Sequence, residues 1–286
     1  MDINIDTKLV GLLGYPLGQS LSPLMQNKAF EICNLNKIYV PIEVKTENLE
    51  TVVNGIKRMN FDGFNITKPH KIEIIKYLDE IDDNAKCIGA VNTVTIKDGM
   101  LRGYNTDGTG FLKSFIKNTG EEIDGKNVII LGSGGAARAI SMTMALNNAK
   151  KIFICNRTYE KAVNLSTEIN KHASSCSIAI PMVYEEIEKA IKMSDVLINS
   201  TSIGMFPHID VSPLAKELLK KNLIVCDIVY NPRKTKLILD AEEVGCKTVI
   251  GLFMLLYQGV EAFELWTDLK APVDTMLQVL EEGLIK

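Results

Sequence analysis

Gly132-Ser133-Gly134-Gly135-Ala136-Ala137 follows the apolar run Asn127 to Leu131 and opens a second apolar stretch that continues through Leu146. The pattern G-x-G-x-x-G/A falls on Gly132, Gly134 and Ala137, in the order strand, loop, helix. Glycines at those positions let the chain turn tightly and bring its backbone close to a pyrophosphate. The helix N-terminus adds unpaired N–H groups and a partial positive charge. This is the chemistry of dinucleotide binding. At the end of the next apolar run the chain reads Asn156-Arg157-Thr158. A site that prefers NAD places a carboxylate there for the ribose hydroxyls. None is present, and the Arg157 guanidinium, with Lys161 one helical turn further on, suits a 2′-phosphate. The expected cofactor is NADP, with NAD as the alternative.

Three polar clusters lie upstream: Ser20-Leu21-Ser22-Pro23, Asn65-Ile66-Thr67-Lys68-Pro69-His70-Lys71, and Asn105-Thr106-Asp107-Gly108. Each follows or ends an apolar run, and the carboxyl ends of strands in an open α/β sheet are where ligands bind. Taken singly, Ser22, Thr67 and Asn105 also serve as ordinary caps or turns. Their joint occurrence points to one crevice.

The elements that must position these groups can be read from periodicity. Leu9 to Leu13 reads as a strand, and Ser22 to Phe30 as a helix with Ser22 as N-cap and Pro23 at its first position. Ile38 to Val44 is a second strand, Thr46 to Met59 a helix, and Phe61 to Ile66 a third strand. This β-α-β-α-β order implies a largely parallel sheet. Val91 to Ile96 and Met100 to Tyr104 flank Lys97-Asp98-Gly99, a hairpin signal. After a break at Gly103 to Gly108, Thr109 to Lys117 reads as a helix. Six further strands follow: 127–131, 151–155, 177–180, 195–199, 223–227 and 247–250. Helical patterns separate them, as a doubly wound sheet requires. From Met254 onward the chain reads as helical, with Leu255, Gln258, Gly259, Ala262, Phe263 and Trp266 on one face, and is expected to pack back on the first domain.

At 286 residues, 46% of them apolar and 23% charged, the chain falls in the ordinary globular range and is long enough for two cores. The net charge of −3 is spread along the chain, which argues against a nucleic-acid partner and for a small molecule. Six cysteines without a Cys-x-x-Cys pair read as reduced packing residues, and three isolated histidines give no metal-ligand spacing, so no metal is expected. Neither an export signal nor a membrane-spanning run is visible, which points to the cytoplasm and away from a membrane partner. Monomer and homodimer both stay open.

The motifs together resemble the shikimate dehydrogenase family along essentially the whole chain. The resemblance rests on Ser20-x-Ser22-Pro23, Asn65-x-Thr67-x-Pro69-x-Lys71, Gly89-Ala90-Val91-Asn92-Thr93 and Asn105-Thr106-Asp107-Gly108 in the first part. Gly132-x-Gly134-Gly135-Ala136, Asn156-Arg157-Thr158, Asn199-Ser200-Thr201-Ser202-Ile203-Gly204-Met205, and Gly251-x-x-Met254-Leu255 with Gln258-Gly259 complete it. It implies an α/β protein with an N-terminal substrate domain, mostly parallel in its sheet, and a Rossmann-type doubly wound NADP-binding domain. The expected extents are 1–107 with 252–286, and 108–251. It also implies reversible NADPH-dependent reduction of 3-dehydroshikimate to shikimate, a step toward the aromatic amino acids.

By the same resemblance Lys71 and Asp107 form the catalytic pair. Ser20, Ser22 and Tyr230 hold the substrate carboxylate. Asn65, Thr67, Asn92, Asp107 and Gln258 bind its ring hydroxyls. Gly251 and Met254 lie beside the nicotinamide, and Ser133, Gly135, Thr201, Ser202 and Ile228 complete the cofactor contacts. Elementary chemistry agrees: hydride transfer to a ketone builds negative charge on oxygen, which a lysine ammonium can stabilise and then protonate. Ser, Thr, Asn and Gln suit a polyhydroxylated ring acid, because a site that bonds each hydroxyl rejects analogues lacking one. Gln19, where many relatives have histidine, and Phe253, where many have glycine, depart from the pattern. Two other readings stand beside this one: a quinate/shikimate dehydrogenase using either nicotinamide, and a non-catalytic NADP-binding sensor that kept the fold.

Overall fold

A computed structural model of the protein describes residues 3–18, 20–173 and 176–285. The chain forms two compact units, 1–106 with 256–286, and 107–255. It crosses from one to the other after Thr106 and again after Leu255.

The first unit contains β1 (Lys8–Gly14), α1 (Ser22–Ile32), β2 (Lys37–Glu43), α2 (Leu49–Ile56), β3 (Phe61–Ile66), β4 (Glu80–Ile81), α3 (Asp83–Ile88), β5 (Thr93–Lys97) and β6 (Met100–Tyr104). Its sheet has the order β2-β1-β3-β5-β6-β4. The β1–β2 and β1–β3 pairs are parallel, and β5 and β6 are an antiparallel hairpin inserted beside β3. Asp98 and Gly99 both take positive φ, 52° and 75°, the pair of left-handed residues that a two-residue hairpin turn needs. Leu13, Phe64, Ile66, Val53 and Leu101 belong to one buried cluster, each such side chain contributing about 1.5–3 kcal/mol by leaving water.

Several boundaries differ from the sequence reading. Ser22 is the first helical residue of α1, not its cap. Leu21 occupies the N-cap without a side-chain bond, and the Ser20 hydroxyl accepts from the Ser22 N–H at 3.3 Å instead. The helix expected over 46–59 is a 3-10 turn at Thr46–Asn48 followed by the shorter α2. The third helical pattern starts earlier than Thr109: α4 runs Thr106–Thr119, so Asp107 sits in its first turn. Two residues of β4 and six of α3 are too short to impose a period on the sequence.

The second unit continues with β7 (Asn127–Leu131), α5 (Gly135–Leu146), β8 (Lys151–Cys155), α6 (Tyr159–His172), β9 (Ser177–Ile180), α7 (Tyr184–Met193), β10 (Val196–Asn199), β11 (Ile224–Asp227), α8 (Lys236–Val244) and β12 (Lys247–Val249). All its strand pairs are parallel, in the order β12-β11-β10-β7-β8-β9. Read from β9, that is 3-2-1-4-5-6, the doubly wound order, with the topological switch between β7 and β10. The four inner strands, β7, β8, β10 and β11, are buried on both faces and read as continuous apolar runs, which is why the sequence marks them so clearly.

The C-terminal stretch is two helices, α9 (Gly251–Thr267) and α10 (Val273–Ile285), separated at Asp268, whose φ is 54°. Within the first unit, Phe263 of α9 stacks on Phe30 of α1, with ring centroids 5.6 Å apart, and the Trp266 indole donates to the Val94 carbonyl at 3.0 Å. Gly63 has no side chain because Trp266 occupies that space: a Cβ there would lie 2.4 Å from the indole nitrogen.

Candidate active site and cofactor turn

In the first unit the strand register brings three of the sequence motifs to one end of the sheet. Asn65 pairs with Thr93, and Thr93 with Tyr104, so residues 65, 92–93 and 104–106 are neighbours. Asn92 Nδ2 donates to Thr106 Oγ1 at 3.0 Å, and its Oδ1 accepts from the Thr106 N–H at 2.7 Å. Asn65 Nδ2 donates to the Asn92 carbonyl at 3.1 Å and to Thr93 Oγ1 at 2.9 Å, while its Oδ1 accepts from the Tyr39 hydroxyl at 2.8 Å. Both amide hydrogens of Asn65 are thus committed, and one lone pair of Oδ1 remains to accept from a hydroxyl. Burial pushes the Tyr39 hydroxyl well above its ordinary pKa, so it stays a donor.

Lys71 is half-buried and lies in the turn ahead of a 3-10 helix at Glu73–Tyr77. Its carbonyl accepts from Val91 N–H at 2.8 Å, which fixes its backbone one residue from Asn92. Asp107, 5% exposed, continues the chain from Thr106 at the start of α4. Thr67 closes the end of β3, its N–H donating to the Leu13 carbonyl at 2.8 Å. Gly14 must be glycine, since a Cβ there would sit 2.3 Å from Thr67 Cγ2. Ser22 is buried, Ser20 half-buried, and Gln258 half-buried on α9. Asn105 donates through Nδ2 to the Ala90 carbonyl at 2.9 Å, a structural tie between the two motifs.

In the second unit the residues fit a dinucleotide. Gly132 has φ 112°, and a Cβ on it would lie 2.7 Å from Ser200 Oγ. Gly134 caps α5 with no side-chain bond, and nothing lies within 4 Å of where its Cβ would be, so the helix N-terminus is open to an anion. Ser133, Gly135 and Ala136 are half-buried around that turn. Asn199 and Leu131 are in register at the topological switch, which puts Thr201 and Ser202 beyond β10 next to the glycine turn beyond β7. Asn156 Nδ2 donates to the Thr158 carbonyl at 2.9 Å and shapes the turn that presents Arg157, which, like Lys161, is exposed. Ile228 and Tyr230 are half-buried just past β11, and burial raises the Tyr230 hydroxyl pKa. Gly251 and Met254 are buried in the first turn of α9.

Residues that had no role assigned from the sequence also contribute. Tyr39, Thr93 and Thr106 complete the hydrogen-bonded cluster around Asn65 and Asn92. Asp227 anchors the end of β11. Tyr39 hides in an apolar-looking strand, and Asp227 meets Asn199 only through strand register. Among the described residues no group of three or more potential metal ligands occurs. No described helix is long and apolar enough to cross a membrane.

A parallel sheet in doubly wound order with a glycine turn at its switch point defines a Rossmann-type nucleotide-binding unit, joined to a smaller α/β unit. Three family models match the chain. "Shikimate dehydrogenase substrate binding domain" covers residues 12–94, "Shikimate / quinate 5-dehydrogenase" 114–246, and "Shikimate 5'-dehydrogenase C-terminal domain" 251–281. A relative from Alkaliphilus oremlandii named shikimate dehydrogenase (NADP(+)) is 45% identical, over 97% of this chain and 98% of its own. A crystal structure of a shikimate dehydrogenase in complex with NADP+ superposes with a TM-score of 0.93 at 42% identity, covering 100% of this chain and 98% of the other. The Listeria monocytogenes shikimate 5-dehydrogenase, in complex with shikimate and NAD, gives 0.92 at 40% identity, with 98% of each chain covered. The chain belongs to the shikimate dehydrogenase family.

Proposed function

We propose that this chain catalyses the reversible NADPH-dependent reduction of 3-dehydroshikimate to shikimate. The observation that carries the reading is the near-full-length similarity to shikimate dehydrogenases of the NADP type, over a sequence that keeps both Lys71 and Asp107. In this reading residues 1–107 with 252–286 hold the substrate, and 108–251 hold the cofactor. Bound NADPH supplies the hydride. The Lys71 ammonium stabilises the charge that develops on the carbonyl oxygen and gives that oxygen its proton, and Asp107 orients Lys71 and accepts from a neighbouring substrate hydroxyl. Ser20, Ser22 and Tyr230 take the carboxylate. Asn65, through its remaining lone pair, and Thr67, Asn92 and Gln258 take the ring hydroxyls. Gly132, Ser133, Gly134, Gly135 and Ala136 meet the pyrophosphate, while Asn156, Arg157, Thr158 and Lys161 meet the adenosine 2′-phosphate. Thr201, Ser202, Ile228, Gly251 and Met254 line the nicotinamide side.

The absence of a carboxylate at Asn156-Arg157-Thr158 favours NADP over NAD. The six free cysteines accord with a reducing, cytoplasmic location. A quinate/shikimate dehydrogenase using either nicotinamide is the second reading, favoured by the NAD seen with the Listeria relative. Steady-state rates with shikimate and quinate, each paired with NADP and NAD, separate the two. The expected result is the highest kcat/KM for shikimate with NADP; a preference for quinate with NAD overturns it.

A further inference from the structure

Asp227, at the end of β11, is 2% exposed, and three hydrogen-bond donors converge on its carboxylate. Asn199 Nδ2 donates to Oδ1 at 3.0 Å and the Val229 N–H to the same oxygen at 2.9 Å, while the Thr235 hydroxyl donates to Oδ2 at 2.6 Å. The polarity of each bond is fixed by its neighbours. The Thr201 N–H can only donate, and it meets Asn199 Oδ1 at 3.1 Å, so the opposite end of that amide, facing Asp227, is the nitrogen. Thr235 Oγ1 already accepts from the Ile238 N–H at the start of α8, so its own hydrogen goes to Asp227. The carboxylate is therefore an acceptor on both oxygens, for groups on three separate segments.

These ties lead directly to the glycine turn. Asn199 holds Thr201 twice, through the Thr201 N–H and, at 2.7 Å, through the Thr201 hydroxyl. Ser200, between them, donates through its hydroxyl to the Leu131 carbonyl at 2.5 Å. Gly132 turns against this segment: a Cβ there would meet Ser200 Oγ at 2.7 Å and Thr201 Cγ2 at 3.3 Å. On the other side, Ile228 N–H donates to the Asn199 carbonyl at 3.0 Å, so the segment past β11 is set by the same residue.

We propose that Asp227 is a positioning residue for the dinucleotide: its buried carboxylate fixes the Asn199 side chain, and through that side chain holds Thr201 in the place from which it packs against the glycine turn. Asp227 touches neither cofactor nor substrate in this assignment; it acts through Asn199. The inference rests on the reading of the Gly132 turn as the cofactor site. A positioning role of this kind affects cofactor affinity more than the chemical step.

The test is a series on the full-length protein: Asn199→Ala, Asp227→Ala and Asp227→Asn, with Gly132→Val as the control for the site itself. NADP binding is measured by titration calorimetry, and KM for each substrate and kcat by steady-state rates. Asn199→Ala and Asp227→Ala are expected to raise the NADP Kd about tenfold, the scale of one lost hydrogen bond to a buried charge. The KM for shikimate should change much less. Asp227→Asn keeps an acceptor for Asn199 and Val229 and is expected to restore most of the affinity. If Asp227→Ala does not fold, Asn199→Ala, which leaves the carboxylate its other two donors, decides the matter. A folded Asn199→Ala protein with wild-type NADP affinity, while Gly132→Val has lost it, overturns the proposal and leaves the cofactor site standing. Undiminished NADP binding by Gly132→Val overturns the cofactor site, and the proposal with it.

Discussion

Gly251 leaves no room for a side chain against Ile228: a Cβ on Gly251 would lie 2.4 Å from the Ile228 carbonyl oxygen and 2.5 Å from its carbonyl carbon. The first turn of α9 is thereby pressed onto the segment that follows β11. Because the obstructing atoms are backbone, no side-chain rotation relieves the clash. Gly251→Ala is expected to destabilise the fold by about 1–3 kcal/mol, the usual scale of overpacking. Chemical denaturation measures it, and an unchanged midpoint would show that α9 can retreat freely. In the proposed site, where Ile228 and Gly251 both serve the cofactor, the same variant should raise the KM for NADP.

Burial moves the Asp227 carboxyl from its ordinary 3.8 to about 6, against the opposing effect of the Thr235, Val229 and Asn199 donors. Between those two values the folded protein holds a proton that the unfolded chain has released. The linked stability is therefore fully present below pH 4 and is lost as pH rises through about 6. Asp227→Asn removes this titration. The stability of wild type relative to the variant should fall between pH 4 and pH 7 in urea melts, and parallel pH profiles would contradict the assignment.

Arg157 stands exposed at the turn held by Asn156 and Thr158, where no carboxylate is available for a ribose diol. Arg157→Ala is expected to raise the KM for NADP roughly tenfold, on the scale of a charge-assisted phosphate contact, and to change that for NAD little. Equal weakening of both cofactors would mean that Arg157 does not read the 2′ position.

The doubly wound sheet was legible because its inner strands are buried on both faces and punctuated by helices of ordinary length. Val128 to Leu131 and Val196 to Ile198 are wholly buried. Local capping was less legible. Ser22 has the right type and place for an N-cap, yet the chain enters α1 one residue earlier and lets Ser20 take that bond. The α4 helix starts at Thr106, where a polar Asn-Thr-Asp-Gly sequence looks like a turn, because Asn92, just ahead of β5, accepts the Thr106 N–H and acts as a cap from a distant segment. Such a partner has no signature in the local sequence. The same is true of Asn199 and Asp227, which meet through strand register rather than spacing. Lys71 stands out from its neighbouring lysines only through its motif; its half-buried position and the Val91 tie to its backbone become visible in the fold.

In the proposed reaction Lys71 supplies the proton that follows hydride transfer, and kcat for Lys71→Ala with shikimate and NADP, measured alongside NADP affinity by calorimetry, reads that role. The expected result is a kcat lowered by roughly 100-fold or more, the scale of a general acid–base group, with cofactor binding nearly unchanged. Turnover close to wild type in that variant would remove Lys71 from the proposed chemistry.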